Sequence, residues 1–322
     1  MPDLLAVTLL TATALFALAN GANDGGALIA VGLKLPVFRP WQAIVIMATA
    51  LGAGPYLFGT AVATTLATRM VSFNGPRGDI ALLAALLATA GVVLTLTRRG
   101  IPTSLTLAIV GGIVGAGLGS DLPVAWPLIG TVLIVAAIAP LAGTLLSYTV
   151  TRLLGLLRPS ANNVRTIGAL HAAAFLLLCL AYGANDGQKM LAVFAIGGGI
   201  TGAVTTQAYE MLVIVALFAV GAIFGLRRLG VRFGSGVLAA RPIHAVSAEL
   251  SAASAVLGSA AVGSPVSMTQ ALVGGLVGTG ISDGMRRVRW RTAGGIVAAW
   301  FITLPAAIGA SAALALLGQA AL

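Results

Sequence analysis

The feature that most restricts this chain is an internal duplication written in helix-interrupting residues. Gly21-Ala22-Asn23-Asp24 recurs 162 positions later as Gly183-Ala184-Asn185-Asp186. A second motif, Pro102-Thr103-Ser104-Leu105-Thr106, runs into a glycine-rich stretch. It recurs at an offset of 163 as Pro265-Val266-Ser267-Met268-Thr269 with its own glycine-rich stretch, and 10 of the 16 aligned positions are identical. Even with 42 glycines in the chain, chance does not produce that match. Each half therefore carries one Asn-Asp motif and one Ser/Thr-rich motif, both embedded in apolar sequence.

The surrounding sequence says what kind of solvent these motifs meet. Of 322 residues, 59% are hydrophobic and only 8% charged, against about 25% charged in soluble domains. Apolar runs of the ~20 residues that span a bilayer recur along the chain. The fold class that follows is an all-α polytopic membrane protein. The runs fall at about 4–33, 41–66, 80–96, 102–119 and 126–150, then 167–200, 207–226, 242–261, 265–282 and 293–319. This predicts a membrane repeat over 1–151, a basic linker over 152–166 with Arg152, Arg158, Pro159, Asn162, Asn163 and Arg165, and a second repeat over 167–322. Segments 102–119 and 265–282 fit either spans or re-entrant elements. Met1-Pro2-Asp3 lacks the positive start of a signal peptide, so the first run reads as a retained helix.

Net charge is +10, yet the basic residues lie between the apolar runs and aromatics make up only 6%. That pattern excludes a nucleic-acid partner, which needs a basic face interleaved with stacking rings. If each run crosses once, Lys34, Arg39, Arg98, Arg99, Arg152, Arg158, Arg165, Arg227, Arg228, Arg232, Arg241, Arg286, Arg287, Arg289 and Arg291 share one face. Arg69 and Arg77 lie opposite. The positive-inside rule makes the richer face cytoplasmic. Five elements per half then give two inverted-topology repeats, with both termini outside and the plasma (inner) membrane as the expected location.

Within hydrocarbon, irregular backbone survives only inside protein or beside a water-filled cavity. Glycine permits unwinding, so each Gly-Ala-Asn-Asp is predicted to break its helix. The freed carbonyls and half-helix ends can then hold ions. A carboxylate at such depth costs about 2.5–3.5 kcal/mol on insertion scales, so Asp24 and Asp186 need a cation, a partner or a capping role. The Pro-x-Ser-x-Thr stretches supply the complement. Hydroxyls of Ser104, Thr106, Ser267 and Thr269, with free N–H groups at a helix start, make a neutral donor set suited to an oxyanion. The alternative is self-capping of a packed, glycine-rich helix.

The remaining buried-looking polar residues break the symmetry. Glu249 falls mid-segment where the first half has Leu86, and it fits either a coupling cation or proton, or a structural pair. Gln188 and Lys189 follow the second motif where the first half has Gly26 and Ala27. Lys189 either neutralises Asp186 or attracts anions. His171 and His244 sit at segment starts, which suggests interfacial positions. The single cysteine, Cys179, reads as a core residue. No His/Cys metal pattern and no nucleophile–base pair stands out, so the chain reads as a non-enzyme without a resident cofactor.

At these residues the chain resembles the PiT family of inorganic phosphate transporters, over essentially its whole length. The resemblance rests on the duplicated Gly-Ala-Asn-Asp, Asn185-Asp186-Gly187-Gln188-Lys189, Pro265-Val266-Ser267, and the tail Trp290-Arg291-Thr292 with Trp300 and Thr303-Leu304-Pro305. It implies secondary active phosphate import coupled to Na⁺ or H⁺, with sulfate as a rival substrate and a passive anion channel as a lesser alternative. Asn23, Asn185, Ser104, Thr106, Ser267 and Thr269 would hold the anion. Asp24 and Asp186 would hold the coupling cation (Na⁺ if sodium-coupled), with Gln188, Lys189 and Glu249 as accessories. A homo-oligomer is compatible with the resemblance. Two positions depart from the family: the histidine common after the Ser/Thr cluster is Leu107 and Gln270 here, and no carboxylate lies within Met47–Gly54.

Overall fold

The structure is a computed structural model, described over residues 2–73, 75–156, 163–197, 204–231, 237–238 and 242–320. Of the linker and loop residues singled out above, Arg158, Pro159, Asn162, Arg232, Arg241 and the side chain of Arg228 lie outside that description. Apart from turns, short extended connections such as 101–104 and 264–267, and two isolated antiparallel bridges, the described residues are helical. Among the described residues, seven helices are long and apolar enough to cross a membrane, and the chain is an integral, multi-pass membrane protein.

The first half opens with α1 (Pro2–Asn20) and α2 (Gly26–Gly32), joined by Gly21–Gly25. There the helix does not unwind as expected. Gly21–Gly25 is a π-helical turn, and both flanking residues keep right-handed helical backbone, Asn20 at φ −62° and Gly26 at φ −60°. Gly183–Gly187 is the matching π turn between α8 (Asn163–Tyr182) and α9 (Gln188–Gly197). The physical reason is the low-dielectric surroundings. A π turn shifts hydrogen bonds by one residue instead of abandoning them, so it meets the demand for paired backbone groups that unwinding would violate.

The second expected segment is also interrupted. α3 (Pro40–Phe58) ends at Gly59, whose φ of +77° suits only glycine, and α4 (Ala61–Thr64) continues into a further π turn, Thr65–Arg69, outside the duplicated motif. α7 (Trp126–Gly155) closes the first half, and α10 (Ala208–Val231) and α13 (Trp290–Ala320) are the long helices of the second.

The largest departure concerns segments predicted as separate elements. α5 (Gly75–Arg98) and α6 (Leu105–Gly119) form one hairpin. Its two ends are stitched together by a Val71–Val124 bridge and by Ala125 N–H donating to the Met70 carbonyl at 2.9 Å. α11 (Pro242–Ala261) and α12 (Met268–Ser282) repeat the arrangement, closed by a Leu238–Val288 bridge and by Arg289 N–H donating to Val237 O at 3.0 Å. Each hairpin thus enters and leaves at the same end of the bundle. Arg98 and Arg99, assigned to the basic face by counting crossings, sit instead at the tip of the first hairpin. Hydropathy alone cannot separate a hairpin arm from a span, because both are apolar throughout.

The halves interleave instead of standing side by side. The first π turn packs on α10 and the second on α3; α7 packs on α12, and α13 on α6. Missing side chains make these approaches possible. A Cβ at Gly21 would run into the Phe218 carbonyl, and one at Gly225 into the carbonyl of Ala22. Gly54 and Gly183 stand in the same relation across the second crossing. Gly111, Gly115 and Gly119 let α6 approach α13 at Leu304, Ile308 and Ala312, while Gly274 and Gly278 admit α7 at Pro140 and Thr144. Phe16, Phe175, Tyr182 and Phe218 fill the interior, where Cys179 is buried and free. Leu141, Leu145, Phe301 and Leu317 project outward from α7 and α13 into what is hydrocarbon.

Candidate functional site

The two Gly-Ala-Asn-Asp π turns, the first before α2 and the second before α9, face one another. Asn20 and Tyr182, the residues immediately before each Gly-Ala-Asn-Asp, meet across the halves with Tyr182 Oη donating to Asn20 Oδ1 at 2.7 Å. The turns then reach outward to the hairpin tips through their asparagines. Asn23 Nδ2 donates to the Thr103 carbonyl at 2.8 Å, and its Oδ1 accepts from Thr103 N–H at 3.1 Å and from Thr97 Oγ1 at 3.3 Å. Asn185 does the same on the other side. Its Nδ2 donates to Ser264 O at 3.1 Å and to Ser259 Oγ at 3.5 Å, and its Oδ1 accepts from Val266 N–H at 3.2 Å. One amide side chain thus satisfies both the donor and the acceptor that an extended hairpin tip exposes.

All of the expected substrate residues gather here. Ser104 and Ser267 cap α6 and α12, accepting from Leu107 N–H at 3.2 Å and Gln270 N–H at 3.4 Å. Capping and ligand contact are compatible, since a capping hydroxyl still has its proton to give. Ser104 points that proton at Gln270 Oε1, 3.5 Å away. Ser267 Oγ and Thr269 Oγ1 are 2.8 Å apart, and Thr269 Oγ1 reaches the Thr103 carbonyl at 3.3 Å. The two hairpin tips therefore touch each other as well as the π turns. Thr106 Oγ1 is buried with no hydrogen-bond partner among the described residues, which leaves it a donor available to a ligand.

The aspartates, equivalent in sequence, are not equivalent in space. Asp186 Oδ1 accepts from Lys189 Nζ at 2.6 Å, and the same ammonium contacts the Val266 carbonyl. Lys189 therefore neutralises Asp186 and ties it to the second hairpin tip. Asp24 has Ala27 where Asp186 has Lys189, and its Oδ1 accepts from Asn23 Nδ2 at 2.6 Å. Asp24 Oδ2 and Asp186 Oδ2 are both buried without hydrogen-bond partners among the described residues, so each retains an oxygen suited to a hard monovalent cation. Asp24 lies within electrostatic reach of Asp186 and Lys189. If all three are ionised, the protein's own charge here sums to one negative.

The other accessory residues serve elsewhere. Gln188 Oε1 accepts from Val62 N–H at 2.8 Å and Ala63 N–H at 3.3 Å, and Nε2 donates to Ala184 O at 2.7 Å. It fastens the start of α4 to the second π turn. Glu249 lies ten residues before Ser259, about 15 Å along α11 at 1.5 Å per residue. It meets His171, whose Nδ1 is 2.9 Å from Glu249 Oε2 while Nε2 lies 2.8 Å from the Gly32 carbonyl. A carbonyl only accepts, so Nε2 carries a proton, and the 2.9 Å contact holds another on one partner or the other. His171 is thus fully buried and His244 nearly so, paired with Asp283 at 3.1 Å. Both histidines, expected at segment starts, lie inside the protein beside a carboxylate.

Lys34 approaches the same corner from the connection after α2. Burial lowers its amine from the ordinary 10.5 to about 8, with the charge of Glu249 opposing the shift. Between pH 8 and about 10 the folded chain has released a proton that the unfolded chain still binds, so stability from this group rises with pH. Lys34→Met should therefore raise the melting temperature at pH 7 and lose that advantage by pH 10. A gap that is constant across this range in a detergent melting series overturns the assignment.

Several members of this cluster escape inspection of motifs alone. Thr97, Ser259, Ser264 and Thr303, whose hydroxyl meets that of Thr103, lie outside the Asn-Asp and Ser/Thr repeats. Asn20 and Tyr182 had a signal, their equivalence at the 162-residue offset, but differing side chains hide it.

Comparison with known proteins bears on what such a site handles. The sequence model of the phosphate transporter family matches residues 20–171 and again residues 158–311. The chain belongs to the phosphate transporter family. Curated relatives include a probable low-affinity inorganic phosphate transporter of Mycobacterium bovis, 33% identical over 94% of this chain and 75% of the relative. Proteins described in the same words from Rhizobium meliloti and Bacillus subtilis are 30% and 28% identical, covering 93% and 91% of those chains. A solved structure described as the sodium-dependent phosphate transporter matches with a TM-score of 0.83 at 20% identity, covering 99% of this chain and all of that one. At that identity the match shows a shared fold. Within this phosphate transporter family member, Leu107 and Gln270 stand together beside the Ser/Thr cluster.

Proposed function

We propose that the protein imports inorganic phosphate by symport with Na⁺ or H⁺, binding the anion mid-membrane between the two repeats. The observation that carries this reading is the pairing of two buried, partly unsatisfied aspartates with hairpin tips rich in hydroxyls. Asn23, Asn185, Ser104, Thr106, Ser267 and Thr269 form the anion shell; Asp24 and Asp186 hold the cations. The donors are neutral, and no arginine fork grips the anion, which favours release.

Charge decides the coupling. With Asp24, Asp186 and Lys189 ionised, the cluster sums to one negative, and a phosphate dianion raises that to three. Two monovalent cations restore the starting value, so anion and cations bind together. Each half contributes three crossings and one hairpin, an odd number of crossings, so the repeats run in opposite directions and both termini lie outside, with the basic loops at the cytoplasmic face of the plasma (inner) membrane. Repeat boundaries at 1–151 and 167–322 fit this plan. Alternating access then moves one repeat's elements against the other's around the shared tips.

The test is uptake of radiolabelled phosphate into proteoliposomes with imposed Na⁺ or H⁺ gradients, with and without excess cold sulfate. Gradient-driven accumulation with a cation Hill coefficient near 2, resistant to sulfate, is the expected result. Downhill uptake that never exceeds equilibrium would overturn symport in favour of a channel. Uptake of sulfate instead of phosphate would overturn the substrate.

A further inference from the structure

A cavity of about 710 Å³ opens between α7, α12 and α13. Its walls are apolar, grading from exposed Leu141 and Phe301 at the rim to buried Ala136, Ala293 and Trp300 within. Along α13 it extends from Trp290 to Leu304, about 21 Å at 1.5 Å per residue. That exceeds the roughly 15 Å that one leaflet contributes to a hydrocarbon core about 30 Å thick. Its rim is continuous with the outward faces of α7 and α13, which contact lipid.

Two further observations say what enters it. Trp290, at one end of the cavity, donates its indole N–H to Met285 O at 3.0 Å and is thereby fixed to the turn bearing Arg286 and Arg287. With Arg289 and Arg291, these make an exposed four-arginine cluster at that end. The neighbouring acid, Asp283, is engaged by His244. Inside the cavity, Trp300 Nε1 is buried with no hydrogen-bond partner among the described residues, although the side chain is only 7% exposed. An apolar slot of one leaflet's depth with a basic mouth matches a lipid with an anionic head.

We propose that this cavity is a binding site for an anionic phospholipid, with one acyl chain along α13 and the phosphate head against the arginine cluster. The chain's inner end reaches Leu107 and Gln270, which occupy equivalent positions in the two halves and both line the cavity. Gln270 accepts the Ser104 hydroxyl at 3.5 Å, so the lipid tail borders the hairpin tips themselves. The slot is a hydrophobic one with a single spare donor, unlike the hydroxyl-rich centre beside it.

Fluorescence quenching by brominated lipid tests this directly. Trp41 and Trp126 are 59% and 55% exposed and lie outside the cavity, so phenylalanine replaces each without loss of core packing and leaves Trp290 and Trp300, which both line the slot, as reporters. The full-length variant is reconstituted with increasing mole fractions of phosphatidylglycerol or phosphatidylcholine brominated at mid-chain. The expected result is quenching that saturates at low mole fraction for phosphatidylglycerol and rises only in proportion to content for phosphatidylcholine. Gly294→Phe fills the slot, since a Cβ at Gly294 meets nothing within 4 Å, and it should abolish the saturable phase. Arg287→Gln with Arg291→Gln should remove the headgroup preference and keep quenching by either lipid. Identical curves for both lipids in the parent protein overturn the anionic-lipid site. Absence of quenching, with red-shifted emission from a hydrated Trp300 or with a dimer covering the slot, overturns it as well.

Discussion

Asp24→Asn is expected to fold and reach the membrane yet lose gradient-driven phosphate uptake by about 100-fold or more. Asn23 is the side chain that donates to Asp24 Oδ1, and the other oxygen has no hydrogen-bond partner among the described residues. Asparagine preserves the size and an acceptor while removing the charge, so no buried cation is orphaned. What disappears is the attraction for a coupling ion in a region of low dielectric. Removing one partner of a buried charge pair costs on the order of 3 kcal/mol, and 1.4 kcal/mol is tenfold. Passive phosphate exchange at saturating substrate should fall less than coupled uptake, because the hydroxyl donors remain. Measured initial rates within threefold of the parent protein would remove Asp24 from the coupling scheme.

The equivalent change in the other half should fail differently. Asp186→Asn leaves Lys189, fully buried, without its carboxylate and with only the Val266 carbonyl and a weaker neutral partner. The expected cost is about 3–5 kcal/mol, enough to depress yield and melting temperature before transport is assayed. Lys189→Met alone strands Asp186 and should be similarly harmful. The double variant, Asp186→Asn with Lys189→Met, removes both charges and should recover most of the stability without recovering transport. A thermal-shift cycle checks this. Additive losses across the cycle would mean that the pair is not coupled, and the 2.6 Å contact would then carry no stabilising role.

The contrast between these two variants also marks where sequence reading stops. The duplication announces two equal aspartates, because a repeat offset compares residues by position and Asp24 matches Asp186 perfectly. Their difference comes from Lys189 against Ala27, three residues on and one helical turn away. Sequence shows that substitution but not whether the ammonium turns inward. Only packing against the second hairpin, whose Val266 carbonyl completes the lysine's shell, decides that it neutralises Asp186.

By itself the sequence determined the solvent, the duplication and the chemistry. Low charge with recurrent apolar runs dictates helices in a bilayer, since no other open structure satisfies its backbone there. Carboxylates and hydroxyls repeated at that depth mark a site, because burying them has a cost that must be offset. Tertiary structure decided everything that depends on direction. Whether an apolar run crosses or turns back is set by where its ends meet, as Val71 with Val124 and Leu238 with Val288. Whether Gly-Ala-Asn-Asp unwinds or widens into a π turn depends on its neighbours. Phe218 and Ala222 of α10 press on one turn and Ala50 and Gly54 of α3 on the other, and those neighbours come from the opposite half of the chain.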